Sequence, residues 1–221
     1  LDGGRTWLPM QTLVRGEGTD AIMNPCAVLD RTSGTVFLFC CNTNRAQRGE
    51  HRRHLLLASR DDGQTWSPPT VIGSQTAEYD DTFVSGPGVG IQTTAGRLVL
   101  PGYTSHHPDF RNEKGLRSRV LFSDDHGQSW HMGKTVSADT NESQVVELVD
   151  GRLMLNRGPD EGQPEGQGGY FGRLRVEPGR PERYFLIGGG QDARVWEVLG
   201  LDTIKEIPGG TYVHTPAFAA K

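Results

Sequence analysis

The sequence has no long apolar run and no strong excess of charge of either sign. No hydrophobic stretch approaches the roughly 18 residues of a membrane-spanning helix, so we expect no transmembrane segment. A formal net charge of −4 over 221 residues gives no reason to expect nucleic acid as a partner. The three cysteines are an odd number and predict no disulfide framework, which leaves the redox compartment open.

Helical periodicity is missing as well. No segment of ten or more residues shows a convincing 3.6-residue period, so we expect little helix. Glycine is abundant instead, with 30 of 221 residues, which is about twice the usual ~7%. Such a composition suits a protein that is built from many turns.

One short pattern occurs three times in the chain. Written S-x-D-x-G-x-[TS]-W, it spans Ser59–Trp66 and Ser123–Trp130, and a copy without its first residue spans Leu1–Trp7. Asp can accept hydrogen bonds from the backbone of a turn, Gly supplies a positive φ, and Trp can cover the turn. Because three copies cannot all line one active site, we interpret the pattern as a scaffold element.

A hairpin recurs between the copies of this pattern. Its turns fall at Asp30–Gly34, Thr94–Gly96 and Asp150–Gly151, and each turn is followed by an apolar strand. A complete unit is therefore a strand, a glycine turn, an apolar strand, a long loop, a strand, the repeated pattern and a short strand. Four strands in about 60 residues are typical of a propeller blade. The sequence thus predicts an all-β fold, a β-propeller of four-stranded antiparallel blades.

The repeated pattern resembles the Asp box, or BNR repeat, of sialidases (neuraminidases), which recurs on the blades of a six-bladed propeller. Asn24–Cys26, Gly86–Gly88 and Ser123–Trp130 are similar to sialidase segments in the same order. Asp boxes also occur in other glycosidases and in receptor-type propellers such as the sortilins. The resemblance covers about residues 1–157, and these are expected to form the blades. Residues 158–221 are expected to form a divergent blade or blades, or an unrelated β-rich tail.

The length of the chain bears on how many blades it can hold. At about 60 residues per blade, a ring of six blades needs more residues than the 221 present. We therefore expect an incomplete propeller, with chain ends that belong to a truncated gene or a fragment.

The segment from Asn141 to Arg157 carries the chemical part of the resemblance. In sialidases a Glu just before a Gln begins one strand, and an Arg ends the next. The resemblance makes Glu142 the candidate catalytic residue and Arg157 a candidate substrate-binding residue, one of three carboxylate-binding arginines. The family usually has one residue between an Asn and this Arg, whereas Arg157 follows Asn156 directly. Without the resemblance, Glu142 would be interpreted as an exposed residue at a strand start.

The substrate explains why the family needs these residue types. Sialic acid carries a carboxylate on its anomeric carbon, which would repel an anionic nucleophile. The family uses a Tyr nucleophile activated by a Glu, with an Asp as general acid. Arginines bind the substrate carboxylate through bidentate hydrogen bonds. The resemblance thus implies an exo-α-sialidase that removes terminal sialic acids from glycoconjugates with retention of configuration, and it implies no metal and no cofactor. The alternatives are a non-catalytic Asp-box propeller that binds glycan or protein, and a different glycosidase on the same scaffold.

Several parts of the family site have no match in this chain. One Arg and the general-acid Asp are expected before Leu1, and the third Arg and the Tyr nucleophile are expected beyond Arg157. Tyr184 and Tyr212 match the nucleophile by residue type only. We therefore expect the chain alone to be inactive. The localisation stays open between a secreted, a periplasmic and a lysosomal-type compartment.

Two other sets of polar residues have a structural interpretation. His106 and His107, with Asp109 nearby, resemble part of a metal site, but no further ligand lies at a recognisable spacing. We interpret them as a solvated loop tip. Arg97 and Arg152 each follow a turn glycine in equivalent repeat positions, so we interpret both as scaffold.

Overall fold

The computed structural model describes residues 5–44, 53–72, 82–86, 88–105, 116–134, 137–138, 142–157, 173–177, 180–187, 195–199 and 203–206. The regular structure in these residues consists of strands alone, which form four sheets. The expectation of an all-β fold is confirmed.

The first sheet contains the first complete repeat. Its strands in spatial order are β4 (Thr70–Val71), β3 (Arg53–Ser59), β2 (Thr35–Asn44), β1 (Asp20–Asp30) and β6 (Gly88–Val89). The strands β1 to β4 pair antiparallel in chain order, and the β1–β2 hairpin turns at Gly34, where φ is 73°. Residues of the next repeat, β6, add a parallel pair to β1.

The second sheet repeats this arrangement. It is built from β5 (Thr82–Ser85), β7 (Ile91–Gln92), β8 (Leu98–Ser105), β9 (Leu116–Ser123), β10 (His131–Met132) and β11 (Ser137–Ala138). The β7–β8 hairpin turns at Gly96, with a φ of 94°. The repeated pattern again lies between the third and fourth strands of the unit, here β9 and β10.

The remaining strands form two further sheets. One is the predicted hairpin of β12 (Ser143–Glu147) and β13 (Leu153–Arg157), and the other is an antiparallel sheet in chain order of β14 (Arg173–Glu177), β15 (Arg180–Ile187), β16 (Val195–Leu199) and β17 (Thr203–Glu206). A strand that the sequence predicts at residues 211–214 lies outside the described residues.

The repeated pattern forms a closed turn in both described copies. Asp61 Oδ1 accepts hydrogen bonds from the Thr65 amide at 2.8 Å and from the Ser59 hydroxyl at 2.9 Å. The Ser59 hydroxyl oxygen accepts from the Gly63 amide, and Trp66 Nε1 donates to the Gly63 carbonyl oxygen at 3.0 Å. Equivalent bonds join Ser123, Asp125, Gly127, Ser129 and Trp130. The scaffold interpretation agrees with this geometry, since both Asp carboxylates are directed at their own turn.

The main hydrophobic core lies between the first two sheets. Trp130 is 1% exposed, and its ring meets the ring of Phe39 edge-on, with centroids 4.8 Å apart. The other buried members come from both sheets: Cys26, Val28, Phe37, Ile72, Phe83, Leu98, Leu100 and Leu121. The Asp-box Trp of the second repeat therefore also joins that repeat to the first.

A buried carboxylate joins the same two sheets at the turn end of the hairpins. Asp30 is 0% exposed and accepts hydrogen bonds from the Thr32 amide at 3.0 Å and the Ser33 hydroxyl at 2.6 Å. From the second sheet, Gln92 Nε2 donates to it at 2.8 Å, and His126 Nδ1 lies 3.0 Å from it. Burial alone would raise the pKa of Asp30, but these hydrogen bonds lower it.

Candidate functional site

Glu142 lies directly before β12, at the end of the hairpin away from its turn. In the β12–β13 register Ser143 is paired with Arg157, so the backbones of Glu142 and Arg157 lie at the same end of the hairpin. The hairpin turn at Asp150 and Gly151 lies at the other end. The Glu that precedes one strand and the Arg that ends the next therefore lie at the same end of the hairpin backbone.

The environment of Glu142 favours its neutral form. The side chain is half-buried, and burial raises the pKa of Glu142 above its ordinary value. A carboxylate with a raised pKa is a stronger proton acceptor, and general bases work best when their pKa lies near the working pH. Glu142 is thus suited to accept a proton from a neighbouring hydroxyl.

The first strands of the repeats come together near the start of β12. Asn24 Nδ2 donates to the Ser85 carbonyl oxygen at 3.2 Å, and the Ser85 hydroxyl donates to the Asn24 carbonyl oxygen at 2.8 Å. A Cβ at Gly86 would lie 3.5 Å from the Ser143 carbonyl oxygen, so this glycine lies close to the start of β12. Segments around Asn24, Gly86 and Glu142, which resemble sialidases separately in the sequence, are brought together.

Asn24 has an unusual backbone conformation at this place. Its φ is 53°, and the β1–β2 register shifts between Met23 and Cys26. A positive φ is uncommon for a residue other than glycine, and Asn is among the types that tolerate it. The bulge turns the start of β1 toward Ser85 of the neighbouring sheet.

The two arginines that we interpret as scaffold are held by carboxylates away from Glu142. Arg97 makes a bidentate pair with Asp124 at 2.6 and 2.8 Å, and Arg152 donates to Asp150 at 2.7 Å. Both arginines follow the turns of their hairpins, whereas Glu142 lies at the opposite end. These contacts agree with a scaffold role.

The glutamine that follows Glu142 in the sialidase-like segment is buried. Gln144 is 3% exposed, and its Nε2 donates to the Val89 carbonyl oxygen at 2.9 Å. The signal in the sequence is the two-residue spacing from Glu142, which on an extended backbone turns both side chains to one face. Its contact with Val89, 55 residues earlier, left no local pattern.

An open cleft lies between strands of the first, second and third repeats. It has a volume of about 340 Å³ and is lined by Leu29, Arg31, Val89, Gly90, Ile91, Gln92 and residues 144–147. Glu142 is not part of this lining. We therefore do not assign the cleft to the chemistry of Glu142.

Other predicted features fall outside the described residues. These include His106, His107, Asp109, Tyr212 and Leu1–Gly4, whereas Tyr184 is described by its place in β15. Within the ranges that the structure describes, no group of three His, Cys, Asp or Glu residues could hold a metal ion. Those ranges also contain no helix with the length and apolar character that a membrane span requires.

Comparison with known proteins identifies the family. The family model described as a BNR repeat-like domain matches residues 1–160. The chain belongs to the BNR repeat-like domain family. Its match covers both described Asp boxes and the β12–β13 hairpin with Glu142 and Arg157.

Curated relatives of this BNR-repeat chain are sialidases. Sialidase-3 of Bos taurus is 35% identical over 167 residues, which are 65% of this chain and 38% of that protein. The sialidase of Micromonospora viridifaciens is 34% identical over 176 residues, which are 70% of this chain and 26% of that protein. The resemblance to sialidases is confirmed. The chain spans about a quarter to two fifths of the length of these relatives.

A solved structure shows the fold of the BNR-repeat chain. The Hadza microbial sialidase Hz136 superposes with a TM-score of 0.58 at 23% sequence identity, covering 94% of this chain and 38% of that one. Together with the antiparallel sheets and their Asp boxes, this confirms the predicted fold class. The first two described sheets, which carry the Asp boxes, are blades of a sialidase-type β-propeller, and the chain spans only part of such a propeller.

Proposed function

We propose that this chain is part of an exo-α-sialidase, a glycoside hydrolase that removes terminal sialic acids from glycoconjugates. One observation carries the proposal: half-buried Glu142, with a raised pKa, lies directly before β12, at the end of the hairpin where β13 ends at Arg157. The names of the relatives support the same reaction class, although the chain spans only part of each relative. A sialylated glycoconjugate is the proposed substrate.

Each of the two residues has a proposed role. Glu142 accepts the proton of a Tyr nucleophile that another part of the protein supplies, so that the phenolate oxygen can attack the anomeric carbon. The bond from that carbon to the aglycone oxygen breaks, and the general-acid Asp, also from another part of the protein, protonates the departing oxygen. Because the nucleophile is neutral before this transfer, it is not repelled by the substrate carboxylate. Arg157 binds that carboxylate through its planar guanidinium, which matches both carboxylate oxygens.

We also propose a division of the chain into two parts. Residues 1–157 are the sialidase-like blades with Asp boxes, and residues 158–221 contain a divergent blade. Support for the second part comes from β14–β17, which form one antiparallel sheet of four strands in chain order, as a blade requires.

A chimera tests the proposed function. Residues 1–157 replace the matching segment of the Micromonospora viridifaciens sialidase, which then supplies the remaining parts of the site. We expect the chimera to release the fluorescent leaving group of an aryl sialoside. A folded chimera without turnover would contradict the proposal and favour a non-catalytic propeller that binds glycan or protein.

A further inference from the structure

Gln144 connects the strand of Glu142 to the first two sheets. Its Nε2 donates to the carbonyl oxygen of Val89 at 2.9 Å. Val89 belongs to β6, and β6 pairs in parallel with β1 at Cys26 and Ala27. The Gln144 amide of the third repeat is therefore bonded to β6. This strand comes from the second repeat, but it belongs to the first sheet.

The space around this amide is fitted to it. An ideal Cβ placed on Gly88 would lie 2.4 Å from Gln144 Oε1, a distance at which two atoms cannot coexist. The amide therefore occupies the volume that any other residue at position 88 would fill with its side chain. The absence of a side chain at Gly88 is what allows Gln144 to reach Val89.

The oxygen of this amide makes no hydrogen bond within the part of the chain that the structure describes. There, Gln144 Oε1 is buried and has no partner. Leaving a buried polar atom unpaired costs about 1–3 kcal/mol. An apolar side chain would avoid that cost but would lose the bond to Val89. The glutamine therefore acts here as an anchor of fixed geometry.

The position of Gln144 relative to Glu142 indicates what is anchored. The two residues are separated by one residue of extended chain, so their side chains are turned to the same face. Ser143 between them also contacts the second repeat, through its hydroxyl and the Gly102 carbonyl oxygen at 3.4 Å. That bond is long, so the short Gln144–Val89 bond is the stronger restraint on the start of β12.

We propose that Gln144 is the positioning residue for Glu142, and that its amide holds the start of β12 on β6 so that the Glu142 carboxyl stays at a fixed depth in the site. This inference rests on the proposed function for the role of Glu142. Gln144 does not touch the reacting atoms, but it fixes the position of Glu142, which does. Burial raises the pKa of Glu142, so a loosened strand start should return that pKa toward its ordinary value.

The test measures the titration of the Glu142 carboxyl in the full chain. Glutamate side chains are labelled with ¹³C at the carboxyl carbon, and the Glu142 signal is assigned by its loss in Glu142→Gln. Gln144→Met keeps the length of the side chain but removes the donor. Gln144→Asn keeps an amide that is one methylene too short to reach Val89, and it serves if Gln144→Met fails to fold. In both variants we expect the midpoint of Glu142 to fall toward the usual value of about 4.3.

Gln92→Met is the matched control. Gln92 is also a buried glutamine that joins two sheets, since its Nε2 donates to Asp30, but it lies at the turn end of its hairpin. We expect this variant to lose stability without a change in the Glu142 midpoint. The inference is overturned by an unchanged midpoint in the Gln144 variants, or by an equal shift in Gln92→Met. Failure of the proposed function would appear separately, as absent turnover in the chimera, because the titration does not depend on turnover.

Discussion

The imidazole of His54 lies against the ring of Phe39, with ring centroids 5.3 Å apart and the planes 28° from parallel. On another side it meets Phe83 of the second sheet edge-on, at 5.1 Å. His54 is 6% exposed, and its buried Nε2 has no hydrogen-bond partner among the described residues. A group that gains a charge on protonation is thus enclosed between two sheets by aromatic rings.

This enclosure predicts acid sensitivity. Burial lowers the pKa of His54 to about 3, whereas in the unfolded chain it is about 6.5. The unfolded state therefore binds the proton first, so stability is full above pH 6.5 and falls as the pH drops toward 3. By pH 4.5 the loss in unfolding free energy is about 3 kcal/mol.

Urea unfolding at pH 7.5, 6, 5 and 4.5 measures this loss. His54→Leu keeps an apolar body of similar size and removes the titrating group. In the variant, we expect the unfolding free energy to fall much less between pH 6.5 and 4.5 than it does in the wild type. An equal decline in wild type and variant would show that another group is responsible.

The two Asp-box tryptophans should differ in their contribution to stability. Trp66 and Trp130 donate to their turn glycines in the same way, but only Trp130 is fully buried between two sheets. Trp130→Ala should cost about 3–5 kcal/mol of unfolding free energy, because it leaves a large cavity. Trp66→Ala should cost less than half of this. Similar losses in urea titrations of the two variants would contradict this interpretation.

Buried Asp30 should contribute far more to the free energy of unfolding than Asp124, whose pair with Arg97 is exposed. Asp30→Asn places an amide donor among the donors that now face the carboxylate, in a site that is 0% exposed. We expect a loss of about 2–4 kcal/mol. Asp124→Asn removes an exposed bidentate pair with Arg97 and should cost less than about 1 kcal/mol. Thermal unfolding of both variants measures the difference, and equal losses would contradict the proposed joint between the sheets.

The features that could be predicted from the sequence are those specified by neighbouring residues. The glycine turns and the Asp boxes repeat locally, so the hairpins at Gly34, Gly96 and Gly151 were found. The Asp and Gly of each box are enough to specify its turn, although the residue before the Gly, such as His126, also has a positive φ of 60°.

The features that were missed depend on contacts between distant residues. Asp30 looked like an ordinary turn residue, yet its partners Gln92 and His126 lie 62 and 96 residues further along the chain. His54 looked like a strand start, and only the neighbouring sheet encloses it. The parallel pairing of β6 with β1 also has no local signal, because the meander of a blade predicts antiparallel neighbours.

The sequence alone does not identify Glu142 and Arg157 as functional residues. Their types and spacing have many structural explanations, and only the resemblance to sialidases singled them out. Burial around Glu142, which raises its pKa, depends on tertiary packing and cannot be predicted from its neighbours in sequence.

The chain alone should not hydrolyse sialosides. Glu142 needs a Tyr to activate, and the residues that would serve as acid and nucleophile have no match by context in this sequence. Loss of one member of a group that acts as a unit can cost several orders of magnitude in rate. The purified chain should release no fluorescent leaving group from an aryl sialoside above the buffer rate. Turnover that disappears in Glu142→Gln would show that acid and nucleophile are present after all.

The most direct test of the central claim compares, in the chimera, the effect on turnover of changing two glutamates. Glu142 lies directly before β12, and Glu147 is its last residue. Glu142→Gln removes the proposed proton acceptor, and turnover of the aryl sialoside should fall by roughly a hundredfold or more. Glu147→Gln changes a glutamate at the other end of the strand, where its carboxylate accepts from the Thr94 amide at 2.8 Å, and turnover should stay within about threefold of the parent chimera. Equal rates for the two variants would contradict the assignment of Glu142 as the catalytic glutamate.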